Sequence, residues 1–188
     1  MIPRSFTCIP HQLCPFIMLR ATRTLFSSHA LVSRTFNPAA VLHGSSPAVT
    51  VNPAELFGPV KKAILIGVPG AFTPGCSKNH VPGYLKHYKE LKDKGVELIG
   101  CVAVNDAFVM DAWASSLETG DKITMLADPQ GTFVKDLGLD FDASAALGGL
   151  RSKRFALVLE HGKITKAFVE PNNTGLSVSL AENLLKEL

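Results

Sequence analysis

Two short, almost wholly apolar runs with a helical pattern between them constrain this chain most. Lys61-Lys62-Ala-Ile-Leu-Ile-Gly67 ends in Pro69-Gly70, and Val96-Glu-Leu-Ile-Gly-Cys-Val-Ala-Val104 follows it. Runs of this length and composition read as strands buried on both faces, as in a parallel sheet. Parallel neighbours need a crossover, and the stretch from about Pro74 to Lys94 supplies a helix for it. Gly95 is that helix's stop signal, and Pro82-Gly83 predicts a kink within it. Asn105-Asp106 predicts a cap for a second helix, Ala107–Leu117. Ile123–Leu126 reads as a third strand, and the loop 127–131 follows it. Arg154–Leu159 and Lys163–Val169 flank His161-Gly162 and predict a hairpin. Leu180, Leu184 and Leu188 recur at helical spacing in a closing helix, Ser179–Leu188. The order strand, helix, strand, helix, strand, hairpin, helix predicts an α/β fold: a mixed sheet flanked by helices.

The 188 residues suit a single domain, but the charge divides them unevenly. Residues 1–54 hold Arg4, Arg20, Arg23 and Arg34 and no Lys, Asp or Glu. The remaining 134 residues carry 15 basic and 16 acidic side chains, so the overall net charge of +3 belongs to the N-terminal region. Without a basic face, the globular part is no partner for nucleic acid. Prolines 10 and 15 interrupt the uncharged stretch between Arg4 and Arg20, and Pro38, Pro47 and Pro53 interrupt Thr35–Ala54. Neither stretch reads as a membrane span. Arginine and serine without acids are the composition of an organelle transit peptide. Wound as a helix, 18–36 places Arg20, Arg23, Ser27 and Arg34 on one face, with Leu25, Val32 and Phe36 roughly opposite. Arg34-Thr35-Phe36 resembles a matrix-protease site with cleavage after Phe36. The expected organisation is a mitochondrial transit peptide over 1–36, a linker or truncated N-terminal region over 37–50, and the folded domain over 51–188. The expected location is the mitochondrial matrix.

Pro69-Gly-Ala-Phe-Thr-Pro-Gly-Cys76-Ser77 sits where the first strand passes into the first helix. A phosphate-binding loop would need lysine where Cys76 stands, and a phosphatase loop would need arginine where Pro82 stands. A dithiol C-x-x-C motif would need cysteine at Thr73. What remains is a single thiol in the first turn of a helix, with Thr73 as cap and Pro74 at the first helical position. Free N–H groups and the helix dipole there favour a thiolate. From spacing alone, an inert cysteine in the same place also stays open.

The stretch Pro69-Gly-Ala-Phe-Thr-Pro-Gly-Cys-Ser-Lys-Asn-His-Val-Pro-Gly83 resembles the P-x-x-x-[TS]-x-x-C signature of the peroxiredoxins, and more narrowly of their type II subfamily. Matching motifs continue through Cys101-Val-Ala-Val-Asn105-Asp106, Leu126-Ala-Asp128-Pro-Gln-Gly131, Ser152-Lys-Arg154-Phe155 and Glu170-Pro-x-x-Thr-Gly175-Leu176, covering about 51–188. The resemblance implies a thioredoxin-like fold, which the element order also matches. It implies a thiol-dependent peroxidase that reduces hydrogen peroxide and alkyl hydroperoxides through a cysteine sulfenic acid. Cys76 resembles the peroxidatic nucleophile. Thr73 resembles the hydroxyl that orients peroxide and bonds the thiolate, Arg154 the cation that stabilises thiolate and transition state, and Pro69 the residue that shields the sulfenate. Arg151 is a second candidate cation, though a residue in that position is more often a solvated charge. Implied partners are the peroxide, a thiol reductant (glutathione with glutaredoxin, or thioredoxin) and a second copy of the chain, with the Phe72 loop near the contact. No cofactor or metal is implied.

The sequence departs from the family pattern in two places. Animal members carry a resolving cysteine where Val178 stands in Thr174-Gly-Leu-Ser-Val-Ser179. Cys101 then remains as the candidate resolving thiol, or as a buried inert one. The β-hairpin that members carry before Val51-Asn-Pro-Ala-Glu-Leu-Phe57 is not recognisable. The alternative reading is a catalytically impaired redox sensor or binding protein on the same fold.

Overall fold

The computed structural model describes residues 30–188. Five of its strands are the ones the sequence predicts: β3 (Ala63–Val68), β4 (Leu98–Ala103), β5 (Thr124–Ala127), β8 (Phe155–Glu160) and β9 (Lys163–Val169). Two short strands precede them, β1 (Leu42–His43) and β2 (Thr50–Val51). These seven form one mixed sheet in the order β2-β1-β5-β4-β3-β8-β9. β3, β4 and β5 run parallel, while β8 and β1 add antiparallel on either side. The predicted mixed sheet flanked by helices is therefore present. The predicted hairpin is β8–β9, and its turn residues His161 (φ 48°) and Gly162 (φ 72°) both take the left-handed conformation that such a turn requires.

β3 is buried at all six positions and serves two cores. Ile64, Ile66 and Val68 face one core with Cys101, Met110, Trp113 and Leu184; Ala63 and Leu65 face the other with Phe57, Val102 and Phe133. Both faces being covered, the strand shows no alternation in sequence. Gly67 is bare because the Phe155 ring on β8 fills its space: a Cβ there would lie 2.0 Å from a ring carbon.

The crossover from β3 to β4 differs from one kinked helix. It is a π turn, Cys76–His80, followed by α2 (Val81–Lys86) and α3 (Tyr88–Asp93), with α1 (Pro53–Phe57) lying before β3. The Val81 N–H reaches back five residues to the Cys76 carbonyl. Pro82, which has no N–H, then falls within the first two positions of α2. The proline thus marks the place where the hydrogen-bond ladder changes register, and the bend comes later, at His87. The second helix is α4 (Ala107–Ser116), capped by Asp106, whose carboxylate accepts from the Val109 N–H at 3.0 Å.

After β5 come α5 (Thr132–Asp136), β6 (Asp140–Asp142), α6 (Ser144–Leu147) and β7 (Leu150–Ser152). β6 and β7 form a separate two-stranded sheet. These elements of three to five residues lie below the length at which periodicity is readable. The chain ends in α7 (Ala181–Glu187). Among the described residues, no helix is long and apolar enough to cross a membrane.

The N-terminal region corrects the sequence reading twice. The span 37–50, expected as a linker or truncated segment, contains β1 and most of the turn to β2, and the two strands pair as a hairpin against β5. The hairpin escaped recognition because each strand has two residues and only Leu42 is fully buried. The folded domain also begins before residue 51. Leu31 and Phe36 lie in the second core, and the Phe36 ring meets Phe57 and Phe133 edge-on at 5.6 and 5.2 Å. Residues 33–35 run along β9: Ser33 N–H donates to Ile164 O at 2.8 Å and Ile164 N–H to Arg34 O at 2.9 Å. The end of the expected 18–36 helix is therefore an edge strap, and the rest of that pattern, with residues 1–29, lies outside the described residues.

Candidate active site

The loop 69–75 leaves the C-terminal end of β3 and delivers Cys76 to the start of the π turn. Cys76 is fully buried, and Pro69 at the start of the loop is also buried. Arg154 Nη1 donates to Cys76 Sγ at 3.4 Å, closing a separation of 78 residues. Arg154 immediately precedes β8 and is 3% exposed. Its N–H donates to Asn173 O at 2.6 Å, its Nε–H to Thr174 O at 3.2 Å, and its carbonyl accepts from the Glu170 N–H at 3.0 Å. Gly75 leaves room for the guanidinium, since a Cβ there would sit 3.0 Å from Nη2.

Thr73 holds the loop in a manner the sequence did not indicate. Its hydroxyl donates to the Gly70 carbonyl at 2.9 Å, while its own carbonyl accepts from the Ser77 N–H at 2.9 Å. The helix begins at Pro74 as expected, but the Thr73 hydroxyl donates back to the loop instead of capping the turn. Asn105 Oδ1 accepts from the Ala71 N–H at 3.0 Å and fixes the loop from the far side. Phe72 between them has φ 59° and is 56% exposed. A positive φ is costly for an aromatic residue, so the loop holds its shape through Asn105 and Thr73 rather than through local preference.

Arg151 is half-buried and not a solvated charge. Nη1 donates to Val104 O at 2.9 Å and Nη2 to Leu147 O at 2.8 Å, joining the loop after β4 to α6. It lies beside Gly70, 3.5 Å from where a Cβ would be. Its guanidinium therefore braces the backbone near the site, and no contact brings it to Cys76.

Cys101 is fully buried in the middle of β4, paired with Ile66 on one side and Met125 on the other. It shares the first core with Cys76, and both thiols are free. Burial pushes the Cys101 thiol far above its ordinary range; Cys76 adds to that shift and Arg154 opposes it. In the folded state Cys101 is a protonated apolar group.

His80 is a neutral core histidine. Burial, with help from Arg154, holds it down at about 3, against the Ser179 carbonyl and Glu170. Its Nε2–H donates to Ser179 O at 3.1 Å, and the same carbonyl accepts from Tyr84 Oη at 2.7 Å.

Three groups around the site went unread in the sequence. Trp113 Nε1–H donates to Ser77 Oγ at 3.0 Å, linking α4 to the π turn. In the sequence Asn105 stands in a helix cap and in a family motif, with no sign of its bond to the loop. Glu170 was read only as part of a motif, although its carboxylate accepts four hydrogen bonds from Ser177 and Ser179. Burial opposes its charge, but those bonds outweigh burial and hold the carboxyl below its ordinary value. No local sequence signal shows a contact made across tertiary structure.

Comparison with known proteins agrees with this geometry. The Redoxin family model matches residues 32–185. Peroxiredoxin-2C of Oryza sativa subsp. japonica is 48% identical over 128 residues, covering 68% of this chain and 78% of that protein. The crystal structure of reduced Prx3 in complex with H2O2 from Vibrio vulnificus superposes with a TM-score of 0.76 at 43% identity, covering 84% of this chain and 98% of that one. Peroxiredoxin 5 from Alvinella pompejana gives a TM-score of 0.72 at 36% identity, with coverage of 84% and 98%. These likenesses favour the enzyme over the impaired sensor or binding protein. A buried cysteine met by an arginine at the end of a parallel strand, on this fold and with these relatives, means that the chain belongs to the Redoxin family and is a peroxiredoxin, a thiol-dependent peroxidase.

Proposed function

We propose that Cys76 is the peroxidatic residue and Arg154 its cationic partner. The observation that carries this is the 3.4 Å contact between Arg154 Nη1 and Cys76 Sγ. The thiolate attacks one peroxide oxygen, an S–O bond forms and the O–O bond breaks. Sulfur is oxidised to the sulfenic acid, and the departing oxygen leaves as water or an alcohol after gaining a proton. Arg154 meets the negative charge that develops on that oxygen. Thr73 Oγ1 uses its hydrogen on Gly70, leaving lone pairs to accept from the peroxide O–H. Pro69, itself buried, keeps water from the sulfenate. An external thiol then attacks the sulfenic sulfur and releases water, and a second thiol frees Cys76 as a disulfide of the reductant leaves. Glutathione with glutaredoxin is the reductant we favour.

Two variants test these roles. Cys76→Ser abolishes peroxide consumption, because a hydroxyl is a poor nucleophile at neutral pH. Arg154→Ala folds but slows peroxide attack by roughly 10²-fold, the scale of losing one charge-stabilising donor. A tenth of the wild-type rate in Cys76→Ser, or an unchanged rate in Arg154→Ala, overturns the assignment.

Two finer points belong to the same reading. The arginine-rich, acid-free N-terminal region directs the chain to mitochondria. A reporter fused to residues 1–50 that stays cytosolic, or is imported with Arg20, Arg23 and Arg34 changed to glutamate, refutes this. The chain works as a homodimer through the face bearing Phe72 and Leu176, which are exposed apolar groups on the active-site loop and beside Gly75. A monomeric mass by sedimentation at working concentration refutes that.

A further inference from the structure

We propose that Glu170 is a positioning residue for the peroxidase reaction: its carboxylate folds residues 172–179 into the bracket that aims the Arg154 guanidinium at Cys76 Sγ. The proposal rests on the roles given above to Cys76 and Arg154.

The bracket begins where β9 ends. Glu170 is 1% exposed, and both carboxylate oxygens are engaged inside the protein. Oε1 accepts from the Ser177 N–H at 2.8 Å, the Ser179 N–H at 2.9 Å and the Ser179 hydroxyl at 2.8 Å. Oε2 accepts from the Ser177 hydroxyl at 2.6 Å. These are charge-assisted bonds, the stronger class, and they draw Ser177 and Ser179 back over the start of the segment. Gly175 lies against the same carboxylate: a Cβ there would come 2.9 Å from Oε2 and 2.5 Å from Asn172 Oδ1. The chain between Glu170 and Ser177 is thereby held as one closed loop.

Arg154 is gripped by that loop and by little else. Two of its donors, the N–H and Nε–H, end on the carbonyls of Asn173 and Thr174 at 2.6 and 3.2 Å. The backbone N–H of Glu170 returns a bond to the Arg154 carbonyl at 3.0 Å. With Nε fixed, the planar guanidinium has one remaining freedom, and its Nη1 points at the thiol. The other end of the bracket reaches the Cys76 turn directly. Ser179, held by Glu170, offers its carbonyl to His80, four residues beyond Cys76, and to Tyr84 on α2. Leu176 packs beside Gly75, 3.5 Å from where its Cβ would stand. One carboxylate therefore sets both the cation and the turn that carries the nucleophile. A neutral amide could not do the same, because its NH2 group cannot accept from Ser177 or Ser179.

The test is a double-mutant cycle read in single turnover with hydrogen peroxide, following oxidation of Cys76 in wild type, Glu170→Gln, Arg154→Ala and the double variant. If Glu170 acts by aiming Arg154, Glu170→Gln slows oxidation about 10-fold alone but no more than about twofold when Arg154 is already absent. Alkylation of Cys76 by iodoacetamide needs the thiolate but breaks no O–O bond, so it falls by less than oxidation does in Glu170→Gln. Losses that multiply in the double variant overturn the proposal, as does an unaltered rate in Glu170→Gln. Equal falls in oxidation and alkylation also overturn it, because they mark a general disturbance of the site. Should Glu170→Gln fail to fold, Ser177→Ala combined with Ser179→Ala removes the two hydroxyl donors and keeps the two N–H donors. That variant shows a smaller, few-fold loss that again vanishes without Arg154; a loss that persists there refutes the aiming role. An unchanged rate in Arg154→Ala alone refutes the underlying reading, whereas failure confined to the Glu170 variants refutes only this inference.

Discussion

The indole N–H of Trp113 donates to Ser77 Oγ at 3.0 Å, tying the middle of α4 to the residue that follows Cys76. Trp113 is the single tryptophan of the chain and is fully buried. Its emission therefore reports on the π turn. Cys76 is also fully buried, so on the role proposed for it a bulky thiol would reach its sulfenic acid only when the turn opens. Adding one equivalent of peroxide to reduced protein shifts the emission to the red as the Ser77 bond breaks. Ser77→Ala, which removes a bond worth about 1 kcal/mol, shows part of that shift before oxidation. An emission spectrum unchanged through complete oxidation of Cys76 refutes the link.

His80 gives the protein an acid-sensitive core. Its folded value of about 3 lies below the ordinary 6.5, so the unfolded chain binds the extra proton first. Stability is fully present above about pH 6.5 and declines as pH falls toward 3. Between pH 7 and pH 5 the linkage amounts to about 2 kcal/mol. Glu170, held below its ordinary value, begins to matter only at lower pH, where protonation removes further stability. Urea unfolding at pH 7 and pH 5 measures the difference. His80→Gln, which retains a donor for Ser179 O, flattens the curve in that window. An equal slope in wild type and variant means that another group carries it.

Residues 31–36 belong to the folded domain, so a chain beginning at Asn37 is less stable than one beginning at Ala30. The longer chain keeps Leu31 and Phe36 in the core, the bonds of Ser33 and Arg34 to Ile164, and the Arg34–Asp136 ion pair at 3.8 Å. Burying each of these two side chains is worth roughly 1.5–3 kcal/mol; the half-exposed ion pair adds little. The melting temperature of the shorter chain falls by at least about 5 °C. Equal melting temperatures place these residues outside the cooperative unit and restore Phe36 as a workable processing point.

What the sequence made legible follows from range. The strands, the crossover and the thiol at its start are local patterns in apolar spacing, Pro and Gly, and they could be read one window at a time. Arg154 was accessible only through resemblance, because nothing in Ser152-Lys-Arg-Phe155 shows that its side chain will meet a residue 78 positions away. The N-terminal hairpin was lost for another reason: two-residue strands leave no period to count. The reading of Arg151 as solvated failed because its partners are the carbonyls of Val104 and Leu147, and backbone carbonyls leave no mark in composition.

How the proposed catalytic cycle closes turns on whether Cys101 can reach Cys76. To resolve the sulfenic acid it would have to reach Cys76 as a thiolate, with Cα atoms about 4.4–6.8 Å apart and a dihedral near 90°. It sits instead at the centre of β4 with strands paired on both sides, so moving its backbone means breaking the sheet. Burial keeps its thiol protonated, and a protonated thiol is a poor nucleophile. Opening the π turn exposes Cys76 without disturbing β4, so an external thiol has the easier route. Cys101→Ala, which leaves no unpaired hydroxyl in the apolar core, therefore retains turnover with glutathione and glutaredoxin within about twofold. Mass spectrometry of peroxide-treated protein, quenched with a sulfenic-acid trap, finds the adduct on Cys76 and no Cys76–Cys101 disulfide. If turnover falls as far as it does in Cys76→Ser, or the disulfide accumulates in the folded protein, direct reduction is wrong and Cys101 is the resolving thiol.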